Sequence, residues 1–582
     1  MALNNDIIAV GDGDFLFGDS DQAEPGNKLT LLTTGGNDTF NGASFSGGSH
    51  QYKAIGDVSL LAGIATGGND VFNGGVFVSI IFAGDAESMS GTLGGALGAL
   101  GGNDTMQGGL QSVNYLVGDA LNDMGQDTRG GADSITGGHA IDTAHNLTFI
   151  NAVTSNEMYG DAYTFGNGAI NAAVVGGNDY LEGGYAFASD VDGDAVVANI
   201  MAGDAHDIWG ISKGGVDVLV GGGAFAILGA RATATNLMMG EGYLLRDASL
   251  GLGDLMTGGS AEGTSDGAAE VTNTMVGDAQ EMTGTSKGGN DTMVGGSADS
   301  GVSPTNSAKV TNIMVGDTFS HKTTGLLGND YMTGGSFSGA GAGFVKNTMY
   351  GDVGVSASYT DPILTSRKYA NDTLIGGAHN AENVMYGDAY QFADSAVGGN
   401  DMLTAGGNFT TNKMYGDAFE VRGTGGKDTL TGGSGADTMF GDGNDLYGLG
   451  GADSITGGSG TTFMYGDAFS IAATGKGGAD TLVGGSGTNT MYGDAVTFAV
   501  GATAGVDRLT GGGVGSTNFM FGDAETLSGI GGKDTFIGGG GTNTMYGDAL
   551  VLTSTGGADT MSGVSGMNTM YGDALSIGTG GV

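Results

Sequence analysis

The chain has no cysteine among its 582 residues, so no disulfide can brace it and no thiolate can act as nucleophile or metal ligand. Proline is almost as scarce: Pro25, Pro304 and Pro362 stand against 124 glycines. Collagen would need abundant proline and a glycine at every third position, so that reading is excluded. Cations are few, 18 Lys and Arg against 63 Asp and Glu, for a net charge of −45. Nucleic acid and anionic membrane surfaces call for cationic patches and are excluded as partners. No run approaches the ~20 continuous apolar residues of a membrane span. The opening MALNNDIIAVGDGD lacks the charged and apolar regions of a secretory signal. That leaves a cytoplasmic protein or one that leaves the cell without a cleaved N-terminal signal. Disorder does not fit, because 39% of the residues are apolar.

What is present is repetition. One motif reads GGNDTLxGG, as in residues 101–109, and its Asp recurs at Asp38, Asp70, Asp104, Asp133, Asp179, Asp217, Asp254, Asp291, Asp330, Asp372, Asp401, Asp428, Asp453, Asp480, Asp507, Asp534 and Asp559. A second motif reads NTMYGDA, as in residues 489–495. Its acid recurs at Asp19, Asp57, Asp85, Asp119, Asp161, Asp204, Asp278, Asp317, Asp352, Asp388, Asp417, Asp442, Asp467, Asp494, Asp523, Asp548 and Asp573, with Glu241 substituting once. Between Asp453 and Asp534 the first motif returns every 27 residues, which is three nonapeptides. Strand-period alternation within each motif, with Gly at the corners, predicts an all-β parallel solenoid of three short strands per coil. Helix is excluded by the glycine density, at about 1 kcal/mol each.

The alternation places an inward methionine column (Met158, Met275, Met349, Met385, Met414, Met464, Met491, Met545, Met570). It places an outward aromatic column beside it (Tyr159, Tyr350, Tyr386, Tyr415, Tyr465, Tyr492, Phe521, Tyr546, Tyr571). The methionines read as core filler. The aromatics read as a stiffening ladder, or as a lateral contact or carbohydrate-binding stripe. Motif-one steps of 29–34 residues near the N-terminus widen to 37–46 between Asp133 and Asp372, then shrink to 25–29. The extra length, as in residues 223–235 and 297–309, predicts an additional strand or arm. The expectation is one continuous solenoid of about 17 coils, roughly 80 Å long at a strand spacing of about 4.8 Å. Its regions are residues 1–132, wide coils over 133–372, and narrow coils over 373–582.

Carboxylates stacked about 4.8 Å apart repel by roughly 3–4 kcal/mol at an effective dielectric of about 20, which asks for cations between them. Hard oxygen ligands without thiols favour Ca²⁺. The stretch GDGNDLYGLGGADSITGG over 441–458 and the GNDTMxGG cores at 102–109 and 289–296 resemble the RTX (repeats-in-toxin) nonapeptide of secreted bacterial proteins. The resemblance implies Ca²⁺ held between Gly-rich turns of neighbouring coils by backbone carbonyls and the motif-one Asp carboxylates. It also implies secretion to the extracellular space or cell surface by a one-step route with an uncleaved C-terminal signal. The chain departs from the family in carrying one such turn per coil. Lys427 and Lys533 replace the usual Asn, and a cation there would weaken a neighbouring site. For motif two, Asp161, Asp204, Asp278, Asp388, Asp417, Asp442, Asp467, Asp494, Asp523, Asp548 and Asp573 form a second cation column or cap a corner.

Catalysis finds little support. The six histidines are scattered, and Gly426-Lys427 is followed by Asp428 rather than a phosphate-loop Ser or Thr. The repeats run from Asp19 to Asp573, which reads as a scaffold without caps. The functional expectation is a secreted calcium-binding structural protein, not an enzyme. It would join copies of itself head to tail, and also laterally, into a filament or surface layer. Two alternatives stand: an adhesin that binds cell-surface polysaccharide, and a polysaccharide-modifying β-helix enzyme. A binding site would be one local break in the repeat.

Overall fold

The computed structural model describes residues 7–18, 28–30, 34–45, 50–91, 98–143, 152–166, 173–189, 191–354, 368–391, 393–579 and 581. Asp19 lies outside the described residues. The regular structure is β-strand, in long parallel sheets with no α-helix among the described residues, which makes the chain a parallel β-solenoid. It divides into two compact units. One comprises Met1–Ile313 with Asp317–Gly325 and Phe337–Phe344. The other comprises Met314–Gly316, Leu326–Ser336 and Val345–Val582.

In the first unit each coil adds one strand to each of three sheets. Motif one supplies the first sheet (Thr105–Gln107), motif two the second (Val113–Val117), and the segment after its Gly-Asp the third (Ala120–Met124). Pairing is parallel and in register: Met106 pairs with Phe72 on one side and Ile135 on the other. The period of two is visible in burial, with Met106 buried between exposed Thr105 and Gln107. A fourth, six-stranded sheet runs from Ala140–Asp142 through Ala186–Ala188, Ala224–Ala226, Ala261–Gly263 and Ala298–Asp299 to Phe337–Ser338 in the wide coils. Their second-sheet strands lengthen to match, as in Asp194–Ala202. The second unit repeats the three-sheet plan. Its third sheet has eight strands, from Ala389–Gln391 to Ala574–Ile577.

The core is a set of ladders. The methionine column is inward as expected and fully buried from Met158 to Met545. Each such side chain contributes roughly 1.5–3 kcal/mol by leaving water. Beside it runs an asparagine ladder that uses the Asn of motif two. Asn114 Nδ2 donates to Asn156 Oδ1 (2.7 Å), Asn156 to Asn199 (2.7 Å) and Asn199 to Asn236 (2.8 Å). Each Oδ1 also accepts from a first-sheet glycine, as in Gly184 N–H to Asn199 (2.9 Å).

The aromatic column differs from the expected exposed stripe. Tyr350, Tyr386, Tyr415, Phe440, Tyr465, Tyr492, Phe521, Tyr546 and Tyr571 stack with centroids 4.7–5.2 Å apart and planes within 10°. From Tyr350 to Tyr546 the rings are buried, because each covers the faces of its neighbours. Third-sheet rings such as Phe419 and Phe469 pack edge-on against them. A sugar stacks on a ring face, and within the stack those faces are taken.

A candidate metal centre

The two Asp series converge on one place. From Asp38 to Asp534 every motif-one Asp is at most 3% exposed. Asp57, Asp85, Asp119, Asp161, Asp204, Glu241, Asp278 and the motif-two acids from Asp317 to Asp548 are buried as completely. The strand period explains this. In Asn103-Asp104-Thr105 the Asn and Thr face out, so the Asp faces in. For the same reason Lys427 and Lys533 are exposed while Asp428 and Asp534 point inward. The lysines thus lie on the opposite face of the strand from the carboxylates.

The two series are fixed by different backbone groups. Each motif-one carboxylate accepts the N–H of the motif-one Asp one coil earlier. Asp70 N donates to Asp104 Oδ1 (2.6 Å), Asp104 N to Asp133 Oδ1 (2.6 Å) and Asp453 N to Asp480 Oδ1 (2.7 Å). Most motif-two carboxylates accept a glycine N–H from the next motif-one turn, with Ala370 taking that place for Asp352. Gly102 N donates to Asp85 Oδ2 (2.8 Å), Gly131 N to Asp119 Oδ2 (2.9 Å) and Gly426 N to Asp417 Oδ1 (2.9 Å). One oxygen of each carboxylate is thereby held.

In several of these acids the other oxygen receives no donor. Asp104 Oδ2, Asp133 Oδ2, Asp85 Oδ1 and Asp119 Oδ1 are buried without a hydrogen-bond partner, and the same holds through most of both series. The carboxylates approach one another. In the triads Asp70–Asp85–Asp104, Asp104–Asp119–Asp133 and Asp133–Asp161–Asp179, one oxygen from each acid lies within 4.8 Å of the others. Asp38–Asp57–Asp70 and Asp352–Asp372–Asp388 form the same arrangement. Asp70, Asp104 and Asp133 each belong to two triads, so four sites run as a file with shared corners. The backbone closes around them. A methyl group on Gly84 would overlap both Asp104 Oδ2 and the Gly118 carbonyl oxygen, and one on Gly118 would overlap Asp133 Oδ2 and the Gly160 carbonyl oxygen. Glycine is required there because ligand oxygens occupy the space of a side chain.

Electrostatics point the same way. Burial, and then the charges of Asp85 and Asp133, push Asp104 well above the usual carboxylate range. Burial raises Asp85 to about 7, Asp161 to about 6 and Asp534 to about 8. Buried like charges of this density need protons or metal ions between them. The donor set is oxygen alone, carboxylate and peptide carbonyl, which is the set of a hard cation. The stacked, buried Asp groups are therefore fit to hold metal ions.

No protein-family model, curated protein or solved structure matches this chain. The site is thus argued from its own geometry. Of the predicted acids, those of the five triads are brought together; the other described ones are buried, except at the last coil, where Asp559 is half-buried and Asp573 is exposed. The two columns expected to stand apart face each other across one interior file. Asp57, Asp85 and Asp119 stand as squarely in it as Asp161. Glu241 is also enclosed, and its Oε1 accepts the N–H of Leu252, which replaces the second glycine of that motif-one turn.

Proposed function

We propose that this protein is a calcium-cemented structural solenoid, secreted and set by Ca²⁺ outside the cell, whose copies join end to end into a filament or surface layer. The observation that carries the reading is the file of buried carboxylates set against one another coil by coil, in which oxygens such as Asp104 Oδ2 and Asp85 Oδ1 receive no donor. Ca²⁺ fits because it takes six to eight oxygen ligands in adaptable geometry and suits mixed carboxylate–carbonyl cages. The RTX resemblance of the Gly-Asp turns points to the same ion and to export in a Ca²⁺-poor, loosely held state.

Stacking of copies draws on a different feature. Met545 and Leu552 are fully buried, while Met570 and Ile577, one coil later on the same ladders, are 42% and 56% exposed. Among the described residues their strands pair on one side, and pairing with a further coil would bury these side chains. A coil from a second copy would continue the Met, Asn and Tyr ladders together.

The test is metal analysis of the purified protein, then electron microscopy of metal-depleted protein before and after addition of millimolar Ca²⁺. Several bound Ca²⁺ per chain and Ca²⁺-dependent filaments or sheets are expected. A chain that binds no Ca²⁺ would sink the whole reading. A Ca²⁺-loaded chain that stays monomeric would sink only the assembly.

A further inference from the structure

The repeat is broken where narrow coils meet the first wide one. Second-sheet strands of the narrow coils begin at Gln51, Ser79 and Val113, in register with Ser155 of the wide coil. The wide coil's strand starts earlier, at Ala152, so it stands beyond its neighbours as a wall. Against this wall lies an open cavity of about 780 Å³, within the size range of small-ligand sites. Its lining divides by chemistry. Phe77, Val113 and Val153 offer apolar surface, with the two valines 58% and 55% exposed. Asp12, His50, Gln51 and Gln111 offer a carboxylate, an imidazole and amides. Asp12 Oδ2 sits 3.0 Å from His50 Nδ1, and its Oδ1 accepts the Gln51 N–H (3.1 Å). The His50 ring is stacked on Phe45 at 3.9 Å.

The cavity lining includes left-handed corners. Phe77 and Gln111 line the cavity at left-handed φ values of 57° and 48°, while Gly13, also on the lining, has φ 77°. Left-handed backbone disfavours bulky side chains and suits glycine. Leu228 and Phe409, outside this lining, take the same left-handed conformation at other corners. Gln111 Nε2 donates to the Ile141 carbonyl oxygen (2.7 Å), which fixes that side chain at the rim of the cavity.

We infer that this step is a binding site for a neutral hexose unit of a polysaccharide. A pyranose ring has C–H faces and hydroxyl edges, which match the apolar wall and the polar rim. The carboxylate of Asp12 and the net charge of −45 turn away uronates and other anions. The site is separate from the stacked tyrosines, whose faces are covered, and does not depend on the carboxylate file.

The experiment is calorimetric titration of the full, Ca²⁺-loaded chain with cellohexaose, laminarihexaose and maltohexaose, with hexagalacturonate for comparison. At least one neutral hexaose should bind with a Kd under about 1 mM, and binding should weaken by about tenfold or more in Phe77→Gly and in Val153→Ser. Phe77→Gly relieves the left-handed strain, so its melting temperature should hold or rise, which separates lost binding from lost folding. No binding by any neutral hexaose, tighter binding of the uronate, or full binding by both variants would overturn the assignment.

Discussion

Asp104→Asn separates a carboxylate that binds cations from one that merely ties a turn. Asn keeps an acceptor oxygen for the Asp70 N–H, now 2.6 Å from Asp104 Oδ1. It replaces the donor-less Oδ2 by an amide N–H₂ facing Asp85, Asp119 and Asp133, each of which keeps one oxygen without a donor. In metal-depleted protein at pH 8 this removes like-charge repulsion. At about 5 Å and an effective dielectric of about 20, one ionised neighbour costs roughly 3 kcal/mol, and partial protonation of the file reduces the relief to about 1–3 kcal/mol. With Ca²⁺ the sign reverses, because Asp104 is a corner of two triads. A site loaded at about 100 times its Kd contributes about 2.7 kcal/mol, and weakening one or both sites loses about that much or more. A solenoid responds coil by coil, so the assay is local: hydrogen exchange of peptides spanning 98–110, with and without Ca²⁺. The variant should exchange about tenfold more slowly than the parent without metal, and about a hundredfold faster with Ca²⁺. Equal loosening in both conditions would refute a cation role and leave Asp104 as a turn cap.

Two other outcomes follow from the same structure. Burial raises the file's carboxylates, to about 6 for Asp161, about 7 for Asp85 and about 8 for Asp534. A raised folded-state pKa stabilises fully below the unfolded carboxylate range near pH 4 and is lost as pH climbs through about 6 to 8. Thermal melts of metal-depleted protein should therefore fall from pH 5 to pH 9, and Ca²⁺ should flatten the fall by displacing protons. A melting temperature that rises with pH without metal would contradict the buried-charge account. Asn199→Ala removes the partner of Asn156, Asn236 and both peptide groups of Gly184. Those buried groups lose hydrogen bonds at roughly 1–3 kcal/mol each. Hydrogen exchange should rise around 180–205 whether or not Ca²⁺ is present, which distinguishes the asparagine ladder from the acids.

The solenoid was legible because its signal is periodic. Inward Met491, outward Thr490 and the glycine corners follow from alternation alone. The fourth sheet was legible as surplus length between motifs, though not its alanine-rich strands. Which side of the chain the acids face was legible in principle, since Asp104 sits next to exposed Asn103 and Thr105 in a period of two. The meeting of the two acid series was hidden, because it depends on how far the third strand carries the chain back. From Asp85 to Asp104 that return takes 19 residues, and from Asp442 to Asp453 it takes 11. The Asn of motif two gives way to Tyr52, Ile80, Asp437 and Thr462 in some coils, and an inward amide declares its role only when its neighbour one coil away is known. The cavity beside Val153 was hidden for the same reason, since a step exists only once two coil sizes are stacked.

The division of labour between the motifs explains why both are needed. A motif-one carboxylate is held by the Asp N–H of the coil before it, so that series links coil to coil. A motif-two carboxylate is held by a glycine of the turn that follows it, so that series closes the corner between the third and first sheets. Each acid commits one oxygen to this backbone tie and turns the other inward. Either series alone would leave one ion ligand per coil and an open corner. Together they place three oxygens around a point in each triad and leave the spare charge enclosed. Removing cations should therefore strain links between coils and corners within coils at once. Partial Ca²⁺ loading should then protect some stretches of consecutive coils fully while others stay open, rather than firming all coils evenly. Hydrogen exchange at sub-saturating Ca²⁺ reads that difference: two resolved populations for peptides of the file support it, and a single intermediate population counts against shared corners.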